Sequence, residues 1–438
     1  MVTPVPAVPV PEALRRASRP GGVEDRYRSL FVVGRGGMGT VEVALERGGE
    51  GFERVVALKR LLPEQSRDPR HKEMFLREAR LAARLQHPNV VHAFAFGELY
   101  GELFLAMEYV EGETLARVLT AARARGERLD PAIVAFVLAG VCDGLHAAHE
   151  LRDQGGQPLH VVHRDVSPHN VMIAYEGLVK ILDFGVAKFE TGGHETRTGE
   201  VKGKMAYMSP EQALGEKLDR RSDLFSVGAV LFECLTGERM WGTGTDLDVM
   251  RRLALEAPPK LEQVMPDAPG ALAMLHARLV AREPEQRLQT AKVVADELRA
   301  FAGERRGADG AALKALMHEL FLSRAQRQRE QLTGALRQAA PQRAESLRKT
   351  IDPPAPVDAK AMEAVLVPPE PASGRRRRAP RRKGLLAVGA MAMVVLALGT
   401  MLYGSKRSRP VAPAPAVAFP PVPPVVAAPA PVPPPIPT

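Results

Sequence analysis

The sequence predicts an α+β protein of two lobes, a strand-rich one leading into a helix-rich one, with one membrane-spanning helix near the C-terminus. Three observations predict it. The first is strand-type alternation in "SLFVVGRGGMGTVEVALE" and "RVVALKRLL". The second is the run of long helical periods from "LDPAIVAFVLAGVCDGLHAAHEL" onward, broken by short strand-like pieces such as "VVHRDV" and "LVKILDF". The third is "GLLAVGAMAMVVLALGTMLYG", residues 384–404, which carries no charge. As a helix it would span about 31 Å, close to the hydrocarbon thickness of a bilayer.

Taken in order, residues 1–24 are proline-rich without apolar periodicity and read as a disordered leader, with neither the basic start nor the apolar stretch of a secretory signal. Residues 25–303 hold the patterned, globular part. Within it a helix is expected from Pro69 to about Gln86, with Phe75, Leu81, Ala82 and Leu85 on its apolar face. Residues 304–383 form a charged, then Pro/Ala/Val-rich, juxtamembrane linker, whose part 305–350 could extend the domain or form a stalk. Residues 405–438 are a tail with 13 prolines after Ser408, suited to polyproline II conformation on the far side of the membrane.

The net charge of +9 has a local origin. Residues 375–409 contain ten basic residues, from Arg375 to Arg409, and no acid, which leaves the rest of the chain at −1. The basic excess therefore implies no nucleic-acid face on the main domain. It flanks the apolar segment, heavier on its N-terminal side, as expected if residues 1–383 stay in the cytoplasm and the basic clusters meet lipid headgroups. Two cysteines, Cys142 and Cys234, both in apolar helical contexts, read as buried thiols and exclude a disulfide framework.

Chemistry concentrates in five short stretches. "VGRGGMGTV" offers Gly34, Gly36 and Gly39 in the spacing G-x-G-x-x-G, with Val41 following. Glycines let backbone amides approach phosphate oxygens. The same spacing marks dinucleotide folds, but there a helix follows, whereas here the strand-like "TVEVALE" comes next. "VALK" puts Lys59 on a strand, where it can pair with phosphates if a carboxylate steadies it, and Glu78 on the following helix is the candidate. "HRDVSPHN" supplies Asp165 and Asn170, and "DFG" supplies Asp183. A carboxylate can accept the proton of an attacking hydroxyl, while one amide oxygen and one carboxylate suffice for Mg²⁺, which keeps waters and phosphates in its shell.

With "MSPE" at 208–211, these motifs in this order resemble the eukaryotic-like (Hanks-type) protein kinases, specifically the bacterial transmembrane serine/threonine kinases. The resemblance covers about residues 25–303 and implies the bilobal protein kinase fold. It implies ATP bound by Val33, Gly34, Gly36, Gly39, Val41, Ala57, Lys59, Glu108 and Val110, with Met107 at the back of the adenine pocket. Lys59 would pair with Glu78, Asp165 would be the catalytic base, and Asn170 and Asp183 would hold Mg²⁺. Glu211 would pair with Arg287, and Asp223 would brace the catalytic loop. Arg164 would mark an activation segment ordered by phosphorylation, with Thr191, Thr196 and Thr198 as acceptors. Implied partners are Ser/Thr protein substrates, ATP and membrane lipid, with homodimerisation through residues 305–350 or the membrane helix left open.

Two positions depart from that family's pattern. Ser167 stands where the catalytic loop carries a lysine, and Lys204 stands where a threonine is usual. The family's fold makes those positions neighbours, so the exchange would keep one ammonium and one hydroxyl beside Asp165. Lys204 is accordingly a candidate catalytic residue. The alternative is a membrane-tethered pseudokinase that holds nucleotide without turnover.

Overall fold

The structure, a computed structural model, describes residues 26–36, 39–184, 204–305 and 308–339. The chain divides into two units, Met1–Pro353 and Pro354–Thr438, and every described residue belongs to the first. The apolar segment 384–404, the acceptors Thr191, Thr196 and Thr198, the leader and the tail lie outside the described residues.

The strand-rich lobe is an antiparallel sheet in the order β1-β2-β3-β5-β4, from Tyr27–Arg35 (β1), Gly39–Arg47 (β2), Glu53–Leu61 (β3), Ala93–Leu99 (β4) and Glu102–Glu108 (β5). Its register carries function. Val41 opposes Lys59, Val43 opposes Ala57, and Ala57 in turn opposes Met107. Directly opposed residues share a face and alternate residues return to it, so Val41, Ala57, Lys59 and Met107 all face one way. Helix α1, Pro69–Ala82, starts on proline with the Asp68 carboxylate accepting from the Arg70 N–H, and buries Phe75 and Ala79 against Leu61, Ala93 and Leu105. It ends at Ala82, four residues before the expected end. Leu85 packs instead with Val90, Ala148, Val161 and Phe184.

After β6 (Gly112–Thr114), the helical lobe is built on α2 (Leu115–Ala124), α3 (Pro131–His149) and, beyond β7 (Val171–Ala174) and β8 (Val179–Ile181), the short α4 (Pro210–Ala213) and α5 (Arg220–Thr236). Helix α5 is buried from Ser222 to Thr236 on every side, which makes it the axis of this lobe, and it stops at Gly237 with φ 78°. Helix α3 is long and apolar enough to cross a membrane, but it is a core helix here, with twelve of its residues buried. The lobe is completed by α6 (Asp246–Leu255), α7 (Leu261–Val264), α8 (Gly270–Leu279) and α9 (Ala291–Gly303). Cys142 and Cys234 are buried thiols in it.

The stretch expected as linker contains more structure than its composition announced. Residues Gly310–Ala339 form a 30-residue helix, α10, whose Leu313, Met317, Phe321 and Ala325 belong to the same core as α3 and α5. Four apolar residues spaced by four are enough to seat a helix on a surface even when charges fill the other faces.

Candidate active site

Lys59 is the centre of the cleft. Its Nζ lies 2.7 Å from Glu78 Oε1 and 2.9 Å from Asp183 Oδ1, so strand β3, helix α1 and the segment after β8 meet in one ammonium. Burial alone would lower the lysine's pKa, but the two carboxylates outweigh it and raise it well above the ordinary value, which keeps Lys59 charged. Behind this triad, Glu78, Leu105, Met107, Asp183 and Phe184 line a cavity of only about 20 Å³.

The glycine-rich turn joins β1 to β2. Gly36 and Gly39 exchange backbone hydrogen bonds at 2.8 and 3.3 Å. A Cβ on Gly39 would stand 2.3 Å from the Arg60 carbonyl oxygen, so a glycine is required there for β2 to approach β3. Gly34 has no such constraint. Val33 sits in the bulge between Val32 and Gly34, 49% exposed. Glu108 closes β5. Its N–H donates to the His92 carbonyl at 2.8 Å, and Val110 follows two residues on. The Glu108 carboxylate pairs with Lys180 at 2.9 Å.

The catalytic-loop candidates are positioned by a buried carboxylate. Asp223, fully buried on α5, accepts from the His163 N–H and the Arg164 N–H, both at 2.8 Å, and lies 2.7 Å from His149 Nε2. Burial raises its pKa, but these partners win and hold it below the usual carboxylate range. His163 Nδ1 accepts from the Asp165 N–H at 3.2 Å, and its Nε2 lies 3.0 Å from the Leu182 carbonyl, an arrangement that requires a neutral ring. Asn170 Nδ2 donates to the Asp165 carbonyl at 2.7 Å, a bond that does not use the amide oxygen, the atom a hard cation takes. Two non-glycine residues in the left-handed region, Arg164 at φ 66° and Asp183 at φ 38°, flank this group. Such strain gathers where the surrounding structure fixes functional groups.

Ser167 is 1% exposed, and its hydroxyl has no hydrogen-bond partner among the described residues. Lys204 opens a 3-10 turn, Lys204–Tyr207, with its side chain outside what is described. Further along, Glu211 receives Arg287 through two bonds of 2.7 and 2.8 Å, both groups being buried, and Gln212 Nε2 donates to the Arg164 carbonyl at 2.7 Å. The structure thus brings Lys59, Glu78 and Asp183 together directly, and Asp165 and Asn170 through one hydrogen bond.

Sequence reasoning passed over His149, His163, Lys180 and Gln212. The only signal for His149 was a histidine in the last turn of an otherwise apolar helix. Nothing linked it to Asp223, 74 residues away.

Among the described residues no three His, Cys, Asp or Glu side chains gather as a metal cage. A cation at Asn170 and Asp183 would take two protein oxygens and complete its shell with phosphate and water, as Mg²⁺ does.

The protein kinase domain family matches residues 27–298. The chain is 41% identical over 312 residues to Tyrosine-protein kinase MasK of Myxococcus xanthus (strain DK1622), covering 71% of this chain and 48% of that protein. Identity to Serine/threonine-protein kinase pkn3 of Myxococcus xanthus is 36% over 297 residues, 65% of this chain and 52% of the relative. Serine/threonine-protein kinase PknB of Mycolicibacterium smegmatis is 35% identical over 292 residues, 65% and 44% of the two chains. The chain spans about half the length of the curated relatives it matches. Among solved structures, the Mycobacterium tuberculosis PknI kinase domain aligns over 65% of this chain and 99% of its own, with 26% identity and a TM-score of 0.48.

Proposed function

The chain belongs to the protein kinase family, and on that premise we propose that it transfers the γ-phosphoryl group of ATP to serine or threonine hydroxyls of proteins, its own activation segment among them. The observation that carries the proposal is Lys59, held between Glu78 and Asp183 at 2.7 and 2.9 Å beside the loop bearing Asp165 and Asn170. Val33, Gly34, Gly36, Gly39, Val41 and Ala57 would enclose the nucleotide, with the Glu108 carbonyl and the Val110 backbone facing the adenine. Asp165 would orient the substrate hydroxyl and take its proton as the oxygen bonds to the γ-phosphorus and the bond to the β–γ bridging oxygen breaks, releasing ADP. Bound through Asn170 and Asp183, Mg²⁺ would neutralise phosphate charge. Lys59 would hold the α- and β-phosphates.

Ser167 cannot supply the cation that the family pattern puts in its place. Lys204 would supply it instead, next to the catalytic loop that Gln212 ties to the following helix. The proposal also includes anchorage by residues 384–404 in the cell membrane, with the kinase lobes cytoplasmic, a role in signalling, and homodimerisation. Retention of the full chain in the membrane pellet through an alkaline carbonate wash supports the anchor, and complete release removes it.

A second reading, transfer to tyrosine, is favoured by one observation: a relative 41% identical is named a tyrosine-protein kinase. Phosphoamino-acid analysis of the full chain after incubation with labelled ATP and Mg²⁺ separates the readings. Phosphoserine and phosphothreonine are expected. Phosphotyrosine alone would transfer the proposal to the second reading, and no label in folded protein with an added generic substrate would favour a pseudokinase.

A further inference from the structure

Two lobes joined by one hinge can swing, and the hinge segment between β5 and β6 is the expected link. In this chain α10 makes a second one. Its N-terminal half is fixed to the helical lobe: Leu313, Met317 and Phe321 are buried in that lobe's core, and Gly310 seats on the β7–β8 turn. The fit at that turn is close. Gly177 has φ 85°, and a Cβ on it would stand 2.2 Å from the Gly310 carbonyl oxygen. The middle of α10 runs along the hinge. Arg324 Nε donates to the Glu113 carboxylate, and the Tyr175 hydroxyl lies between that carboxylate (3.0 Å) and the Gln328 side-chain amide (2.6 Å). Arg329 pairs with Glu111 at 3.4 Å. Glu113, in β6, is 3% exposed, and burying its charge is tolerable because Arg324, Arg117 and Tyr175 meet it.

The C-terminal turn then reaches the strand-rich lobe. The Ala339 carbonyl accepts from Arg28 of β1 at 3.0 Å and from Arg47 of β2 at 3.4 Å. Leu336 and Ala339 border a cavity of about 320 Å³ with Leu45 and Val55. One end of α10 is held by a row of buried apolar residues, while the other has a smaller hold, through Leu336, the buried Ala339 and two polar bonds to the last carbonyl. The second end is the one that can let go.

We propose that α10 is a strap across the hinge: Arg324 and Gln328 position the hinge strand, and the turn at Ala339 limits the swing of the strand-rich lobe and so slows nucleotide escape. The inference rests on the kinase reading only for its last clause. Opening motions of this kind gate product release in many enzymes, so a strap would act on release more than on chemistry.

The test uses the full chain, spin-labelled at F52C and L247C, sites 57% and 76% exposed on the two lobes, while Cys142 and Cys234 stay buried. In the double variant R324A/Q328A the label-to-label distances should spread to longer values. Bound N-methylanthraniloyl-ADP with Mg²⁺ should leave at least roughly fivefold faster, since two side-chain hydrogen bonds are lost and each is worth about that factor. R125A, which removes the exposed Arg125–Glu319 pair within the helical-lobe end of α10, should match the unaltered chain in both measurements, and R324K should keep the narrow distances. Superimposable distances for R324A/Q328A and the unaltered chain would overturn the strap. Spread distances with unchanged release would overturn its effect on nucleotide. Failure of the unaltered chain to bind the ADP analogue would count against the kinase reading, and the distances would still decide the strap.

Discussion

At the scale of residues, the site is organised around charges that cannot be neutral where they stand. Lys59 between Glu78 and Asp183 would, if replaced by Met, leave the mostly buried Glu78 carboxylate and the partly exposed Asp183 carboxylate without the cation between them. K59M should therefore lose phosphoryl transfer and some stability together, whereas E78Q should lose activity with the fold retained. The substitutions K204A and, as a control two residues earlier in the chain, K202A address the departure in the catalytic loop. A cation lost from the transition state costs several kcal/mol, so K204A should slow transfer by roughly two orders of magnitude or more and K202A hardly at all. Equal small losses, measured as initial rates at saturating ATP, would remove Lys204 from the site. The meeting of Lys59 with Glu78 and Asp183, and of Asp165 with Asn170, was legible in the sequence because most of these residues stand in local motifs only a few residues long. The roles of His149 and His163 were not legible, because they are set by Asp223 across the core and no local spacing encodes that.

At the scale of elements, the buried Glu211–Arg287 pair joins α4 to the loop before α9. Burial raises the Glu211 pKa, but Arg287 and Ser222 bring it below the ordinary range, so the pair is ionised. Removing one partner leaves an uncompensated buried charge, and R287A should destabilise the protein by about 3–5 kcal/mol in urea unfolding. A loss below about 1 kcal/mol would mean that the guanidinium contributes little at that junction. The β1–β2 hairpin was legible from alternation and glycine spacing. Helix α1 ends earlier than its periodicity suggests, because Leu85 continues the helical period of Phe75 and Leu81 yet buries itself in a different cluster after the helix has stopped. Helix α10 was legible only as a helical tendency. Its apolar stripe is narrow among charges, and its partners, Glu113 and Tyr175, lie more than 150 residues upstream.

At the scale of the whole molecule, acid should loosen the helical lobe before the carboxylates titrate. His276, buried on α8 against the Phe232 ring, has its pKa pushed down by burial to about 4. The folded protein resists the proton that the unfolded chain binds near pH 6.5, so stability is fully present above that pH and falls as pH drops toward the folded value. Burial likewise lowers His163, with the same sign. Between pH 6.5 and 5, His276 alone should cost about 2 kcal/mol, and H276L should remove most of that slope. An unchanged slope in H276L would assign the acid sensitivity elsewhere.

Above all, this chain should turn over ATP through Asp165 even with Ser167 in the loop that follows it. The direct measurement is incorporation of label from γ-labelled ATP with Mg²⁺ into protein, comparing the full chain with D165N at equal folded content. The unaltered chain should incorporate label, and D165N should not. Equal incorporation by both, or none by either with an added substrate, would contradict it.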